Sequence, residues 1–247
     1  MLTQHCLTLT ADGPCHPRPE WGYRLYAALL ESAPPSFGDR VHQDAVTPIS
    51  QYLVSKGTML YWYVTLLGQK CQEIFTPVLD RTEAVTLQKD NICLKVLERS
   101  ARTVPDVETL LTWATGCSGR HRLKFWTSTA FKSKGQYLNL PTARLMVQSL
   151  LKKWNGCFPD CPIEDADGEG METLATGLRF QRFQISDRIF YLKGNPIPGF
   201  IGTLHLENQL SGFHRQLTDA LLLFSGYAGV GIKTTLGMGG VEHQIVN

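Results

Sequence analysis

The stretch RHRLKFWTSTAFKSKGQYLNLPTARLMVQSLLKKW, residues 120–154, changes its periodicity midway, and that change decides the fold class. Over residues 120–127, Leu123 and Phe125 alternate with Arg122 and Lys124, the two-residue repeat of a strand that buries one face. Pro141, a favoured first-turn residue, then starts a helix in which Ala143, Met146, Val147, Leu150 and Trp154 form a continuous apolar stripe. Lys132 and Lys134 fall in the hairpin tip between strand and helix.

Reading outward toward the C-terminus, an acidic loop around residues 164–172 leads to strands over 178–185, 189–193 and 200–206. A helix carrying Phe213, Leu217, Ala220, Leu221 and Phe224 follows, and 241–246 supplies a last strand. Toward the N-terminus the same grammar appears. A strand over 5–10 precedes a helix over 20–32, with Trp21, Leu25, Ala28 and Leu29 on one face. The runs 49–54 and 59–66, separated by Ser55-Lys56-Gly57, read as a hairpin. Leu67, Cys71, Ile74, Phe75 and Val78 recur at helical spacing, Pro77 is expected at or near that helix's end, and 92–97 is another strand. Asp106 is placed to cap a short helix carrying Val107, Leu110 and Leu111. Two successive βαββαβ runs predict an α+β chain of two tandem ferredoxin-like modules, residues 1–117 and 118–247, a topology shared with RNA-recognition sheets.

The composition, 43% apolar and 19% charged, is that of a globular protein rather than a disordered one. No apolar run approaches the length of a membrane span and no basic head precedes an apolar segment, so a soluble, cytoplasmic protein is expected. Seven scattered cysteines without paired CxxC motifs argue for reduced thiols. Cys157 and Cys161 lack a second ligand pair at zinc spacing, and no metal or cofactor is expected. The net charge of +2 divides unevenly: residues 1–117 hold 10 Lys and Arg against 12 Asp and Glu, residues 118–247 hold 14 against 10. Arg120, Arg122, Lys124, Lys132 and Lys134 cluster, as contact with a phosphate backbone requires, although a solvated face has the same composition.

The segment GYAGVGIKTTLGMGG, residues 226–240, resembles two nucleotide-binding loops and fits neither. A Walker loop needs Lys directly after its second glycine, and Ile232 intervenes between Gly231 and Lys233. A dinucleotide fingerprint needs a third glycine where Thr234 stands, at the opening of a helix. What remains is a loop between a helix and a strand in which Gly229, Gly231, Gly237 and Gly239 flank Lys233, Thr234 and Thr235. Glycine amides can approach a phosphate closely, and Lys and Thr add charge and hydroxyl donors. A tight structural turn is the other reading, although six glycines exceed what a turn needs.

The ending SGYAGVGIKTTLGMGGVE, residues 225–242, resembles the C-terminal signature of the CRISPR-associated endoribonuclease that matures CRISPR RNA, the sixth Cas family of the RAMP superfamily. LKFWTSTAFKSKGQYLNLP at 123–141 and LMVQSLLKKWN at 145–155 are similar to the strand, hairpin and helix that open that family's second module. The likeness is close over 120–155 and 199–243 and looser in the first half. It implies two tandem ferredoxin-like modules and an endoribonuclease that cuts precursor CRISPR RNA within its repeats. Such cleavage needs no metal: the neighbouring 2′-hydroxyl attacks, leaving a 2′,3′-cyclic phosphate. It also implies repeat RNA as partner, with a homodimer or an effector complex as further assemblies. A RAMP subunit that carries CRISPR RNA without cutting it is the alternative.

The resemblance points to specific residues. His42, in a polar loop between the first helix and the next strand, matches the family's histidine, and imidazole suits acid–base work near neutral pH. A solvent-exposed loop histidine is the other reading. Tyr26 resembles a tyrosine that assists the histidine in some relatives, and equally suits packing against a sheet edge. The lysine that some relatives carry six residues after the histidine is here Pro48, which leaves Arg40, Lys56 or Lys233 to stabilise charge. Arg122, Lys124, Lys132, Lys134 and the glycine loop are expected to contact RNA. Tyr61, Trp62 and Tyr63 either stack bases or form a packed strand.

Overall fold

The computed structural model describes residues 1–12, 17–18, 21–34 and 47–246. Its first half contains β1 (Leu2–Ala11), α1 (Trp21–Glu31), β2 (Ile49–Lys56), β3 (Met59–Leu67), α2 (Gln69–Arg81), β4 (Ala84–Leu87) and β5 (Ile92–Val104). These strands form one sheet in the order β2-β3-β1-β5-β4, with every neighbouring pair antiparallel. Short α3 (Val107–Thr115) follows, its first turn capped by the Asp106 carboxylate, which accepts the Thr109 N–H at 2.7 Å.

The second half contains β6 (Arg120–Thr129), β7 (Phe131–Ser133), β8 (Gln136–Leu138), α4 (Ala143–Cys157), α5 (Glu169–Thr176), β9 (Leu178–Asp187), β10 (Phe190–Leu192), β11 (Asn195–Ile197), β12 (Phe200–Asn208), α6 (Gly212–Ala228) and β13 (Val241–Ile245). Its main sheet runs β13-β6-β12-β9. In each half the first strand of the βαββαβ run lies between the last and the third, with the second outside. That is the ferredoxin-like order, occurring twice in tandem.

The burial follows the sequence periodicity. On β6, Leu123 and Phe125 face inward and Arg122 and Lys124 stay partly exposed. The α4 stripe of Met146, Val147, Leu150 and Trp154 meets them, and Trp154 packs edge-on against Phe158 and Phe224 at 4.8 and 5.5 Å between centroids. Each such large apolar side chain, taken fully from water, contributes about 1.5–3 kcal/mol. Leu2, Leu67, Val104 and Leu110 join this core although they come from the first half, so the two halves are packed together. A second core forms around Leu7, Trp21, Leu25, Trp62 and Phe75.

Several boundaries differ from the sequence reading. Pro77 lies inside α2, which continues to Arg81. Pro141 precedes α4 rather than starting it: Thr142 is the cap, its hydroxyl accepting the Leu145 N–H at 3.2 Å. The acidic segment around 164–172 is partly helical, because the Asp165 carboxylate accepts the Gly170 and Met171 N–H groups (both 2.9 Å) at the start of α5. The strand expected over 189–193 leaves the main sheet and pairs with β11 as a separate hairpin. Trp62 is core, giving its indole N–H to Gln51 Oε1, whereas Tyr61 and Tyr63 lie on the half-buried face of β3.

Candidate functional site

The glycine segment forms a tight double-backed loop between α6 and β13. Gly229, Gly231, Gly237 and Gly239 all have φ between 67° and 100°, a region that an L side chain rarely adopts. Close packing demands glycine as well: a Cβ on Gly231 would stand 2.3 Å from the Ala130 oxygen, and one on Gly240 2.3 Å from the Tyr52 ring. On Gly237 it would meet the Cα of Gly22 on α1.

The loop amides are used internally. Gly229 N–H bonds Ser225 O, Gly231 N–H bonds Ser149 Oγ, and Gly239 N–H bonds Ser128 O (2.9, 2.9 and 3.0 Å). At Gly229, Gly231 and Gly239, therefore, backbone conformation and close approach call for glycine, and the three amides are engaged within the protein. Lys233, Thr234 and Thr235 are the half-buried crest, with Lys233 in the left-handed region at φ 55°. From the first half, Gln51 Nε2 donates to both Thr235 O and Gly22 O at 2.8 Å, fixing the crest to α1.

The crest borders a cavity of about 560 Å³ whose wall includes Lys132, Lys134, Lys152, Lys153 and Lys233, together with Thr234, Thr235, Gln148, Ser149 and Thr47. Among the described residues, five lysines line it and no carboxylate does. Lys134 and Gly135 occupy the β7–β8 tip with φ of 47° and 83°, the two positive values of a type I′ hairpin turn, so the tip projects over the cavity as a defined turn. Such a wall attracts polyanions, and each lysine that meets a phosphate releases a counterion.

Other expected residues lie elsewhere. Arg122 and Lys124 sit on the opposite face of β6: Arg122 donates to Gln244 Oε1 at 2.9 Å, and Lys124 Nζ lies 3.4 Å from the centroid of the Trp126 ring. Tyr26 is 7% exposed within the first-half core, and burial, with Cys71 beside it, pushes its phenol up to about 12. It does not line the cavity. His42 and Arg40 lie outside the described residues, and Thr47, five positions after His42, is on the cavity wall. Cys161 is exposed, and no cluster of three or more metal-ligating side chains occurs among the described residues.

Two features escaped the sequence reading. Lys152 and Lys153 were legible only as the polar edge of an apolar helix. A buried chain also links His121 Nε2 to Asp219 Oδ1 (2.8 Å) and His121 Nδ1 to His243 Nε2 (2.9 Å), inside the second sheet–helix layer. Burial, then the neighbouring His121 and Arg102, hold His243 down at about 3, so it is neutral.

Comparison with known proteins adds the following. A family model described as CRISPR-associated endoribonuclease Cas6 matches residues 123–241. The CRISPR-associated endoribonuclease Cas6 of Mycobacterium tuberculosis is 30% identical over 249 aligned positions, covering 98% of this chain and 78% of the relative. That of Streptococcus thermophilus is 23% identical, covering 92% and 93%. A solved structure described as a Cas6 product complex superposes with a TM-score of 0.80 at 22% identity, covering 98% of this chain and 99% of that one, and shows the same fold.

Proposed function

This chain belongs to the Cas6 family of CRISPR-associated endoribonucleases, and from that premise we propose that its lysine-lined cavity holds the backbone of CRISPR repeat RNA while His42 drives a metal-independent cut. The observation that carries the reading is the cavity itself, where five lysines, Lys233 of the loop crest among them, stand beside Thr234 and Thr235 with no carboxylate among the described lining residues. Related structures described as product and substrate-mimic complexes share this fold, which supports RNA as the occupant.

The chemistry asks little of the protein beyond proton management and charge. A base takes the proton of the 2′-hydroxyl, the 2′-oxygen attacks the adjacent phosphorus, and the bond from phosphorus to the 5′-oxygen breaks. An acid protonates that leaving oxygen, giving a 2′,3′-cyclic phosphate upstream and a 5′-hydroxyl downstream. Extra negative charge develops on the phosphorane oxygens, and fixed ammonium groups in a confined site favour it over the ground state. Lys233 is the lysine we assign to this task, because its strained backbone is held by the loop and its side chain lines the cavity. His42 lies five residues from Thr47 on the wall, a separation that an extended chain spans in at most about 18 Å. Tyr26 contributes through packing, since the core containing it also receives Leu236 from the loop.

The test is to incubate the purified protein with its cognate repeat RNA in excess EDTA, alongside His42→Ala. Cleavage that persists in EDTA, yields a cyclic phosphate and disappears in the variant supports the reading. A requirement for a divalent ion would refute the mechanism, and tight binding without cleavage by either protein would favour a carrier subunit.

A further inference from the structure

Two polar side chains on one face of α4 meet the glycine loop. Ser149 Oγ accepts the Gly231 N–H at 2.9 Å. Lys153, four residues further on, donates from Nζ to Ala228 O, Gly229 O and Thr234 Oγ1 at 3.0, 3.0 and 3.2 Å. Residues four apart share a helical face, so α4 braces the loop as one rigid element. The Ala228 and Gly229 carbonyls lie at the C-terminal end of α6, where unpaired acceptors and the helix dipole favour a cation. All three ammonium protons are engaged within the protein. Lys153 therefore differs from Lys132, Lys134 and Lys152, which are exposed at the cavity.

We propose that Lys153 is a positioning residue of the cavity: it ties the end of α6 to Thr234 and so holds Lys233, Thr234 and Thr235 in the arrangement that receives an RNA phosphate. This inference rests on reading the cavity as the RNA site.

The role has a protonic consequence. Among the described residues, the groups that share the cavity wall with Lys153 are positive or neutral: Lys152 on its own helix, Lys132 and Lys134 from the β7–β8 hairpin, Lys233 and Thr234 from the loop, and Thr47 ahead of β2. Cys157, one turn along α4, has its thiol pushed up to about 12 by burial and stays uncharged. Burial meanwhile draws the Lys153 ammonium down to about 7. A phosphate entering the cavity supplies the missing negative charge and favours the protonated amine. Above pH 7, where the RNA-free protein has partly lost that proton, binding must take one up. Well below it the amine is already charged, and no proton moves.

The experiment uses full-length protein and repeat RNA carrying 2′-deoxyribose at the mapped cut, so that binding is measured without turnover. Calorimetric titration in buffers of different ionisation enthalpy counts the protons exchanged. At about pH 8 the wild type is expected to take up a fraction of a proton that Lys153→Met does not, and this difference separates Lys153 from the histidines. Lys153→Met is expected to bind roughly tenfold more weakly, from loss of a charged hydrogen-bonding group. Lys153→Arg, charged throughout this range, should retain affinity better and still lose the uptake. Ser149→Ala should weaken binding while leaving the uptake intact. Melting curves report whether each variant folds, and the arginine and Ser149 variants keep the inference open to refutation if the methionine variant does not. Unchanged proton uptake in Lys153→Met or Lys153→Arg overturns it, as does wild-type affinity in a folded Lys153→Met. If Lys132→Ala, Lys134→Ala and Lys233→Ala also bind at wild-type strength, the RNA reading of the cavity fails. If they weaken binding and Lys153→Met does not, only the positioning role fails.

Discussion

Replacing Gly239 by alanine is expected to cost far more than the single methyl group suggests. Gly239 has φ 67°, and a Cβ there would stand 2.1 Å from the Val230 carbonyl oxygen and 2.9 Å from Thr234 Cγ2. Holding an L residue in the left-handed region costs about 1–2 kcal/mol. Relieving the overlap also disturbs the bonds from Val230 N–H to Gly239 O and from Gly239 N–H to Ser128 O, both 3.0 Å, at about 1 kcal/mol each. The sum is about 3–4 kcal/mol, a fall of roughly 6–16 °C in Tm for a chain of this size. Gly135→Ala is the matched control: its φ is 83°, yet nothing lies within 4 Å of an added Cβ, so only the backbone cost remains. Thermal unfolding followed by near-ultraviolet circular dichroism compares the two directly. If Gly239→Ala melts no lower than Gly135→Ala, the loop is not closely packed and its glycines need another explanation.

Two further outcomes follow from the same geometry. Tyr26→Phe is expected to leave the cleavage rate within about threefold of wild type, because a phenol pushed up to about 12 is a weak proton donor near neutral pH; a much larger loss, measured under single-turnover conditions, would restore Tyr26 to the chemistry. His243 is neutral when folded, held at about 3, and accepts a proton near 6.5 when unfolded, so the unfolded chain binds more protons between those values. Stability is therefore expected to fall on acidification below about pH 6.5, at up to about 1.4 kcal/mol per pH unit from this group. Denaturant titrations of wild type and His243→Asn check this, and an equal acid slope in both would show that His243 is not its source.

The fold was legible where one periodicity ran long enough to be unambiguous. The alternation of Leu123 and Phe125 and the α4 and α6 stripes reflect burial on one face, and they located the elements that build the second half. Local capping was harder: Asp165 makes a helix from what composition alone reads as an acidic loop, and Thr142 rather than Pro141 begins α4. The glycine loop stood out in the sequence, whereas the physical reason for its glycines did not. Free amides and close backbone contact both call for glycine, and only the positions of Ala130, Val230 and Gly22 distinguish them. Lys153 and Asp219 were hidden because their partners lie 75 and 98 residues away, and no local pattern encodes such a contact.

The central claim, that the cavity lysines hold the RNA backbone, is tested most directly by the salt dependence of repeat-RNA affinity. Each lysine in contact with a phosphate contributes about 0.7–0.9 to the slope of log affinity against log salt. Lys132→Ala, Lys134→Ala and Lys233→Ala are each expected to weaken binding and flatten that slope by about this amount. A triple variant that binds the repeat with wild-type affinity and an unchanged slope would contradict the claim.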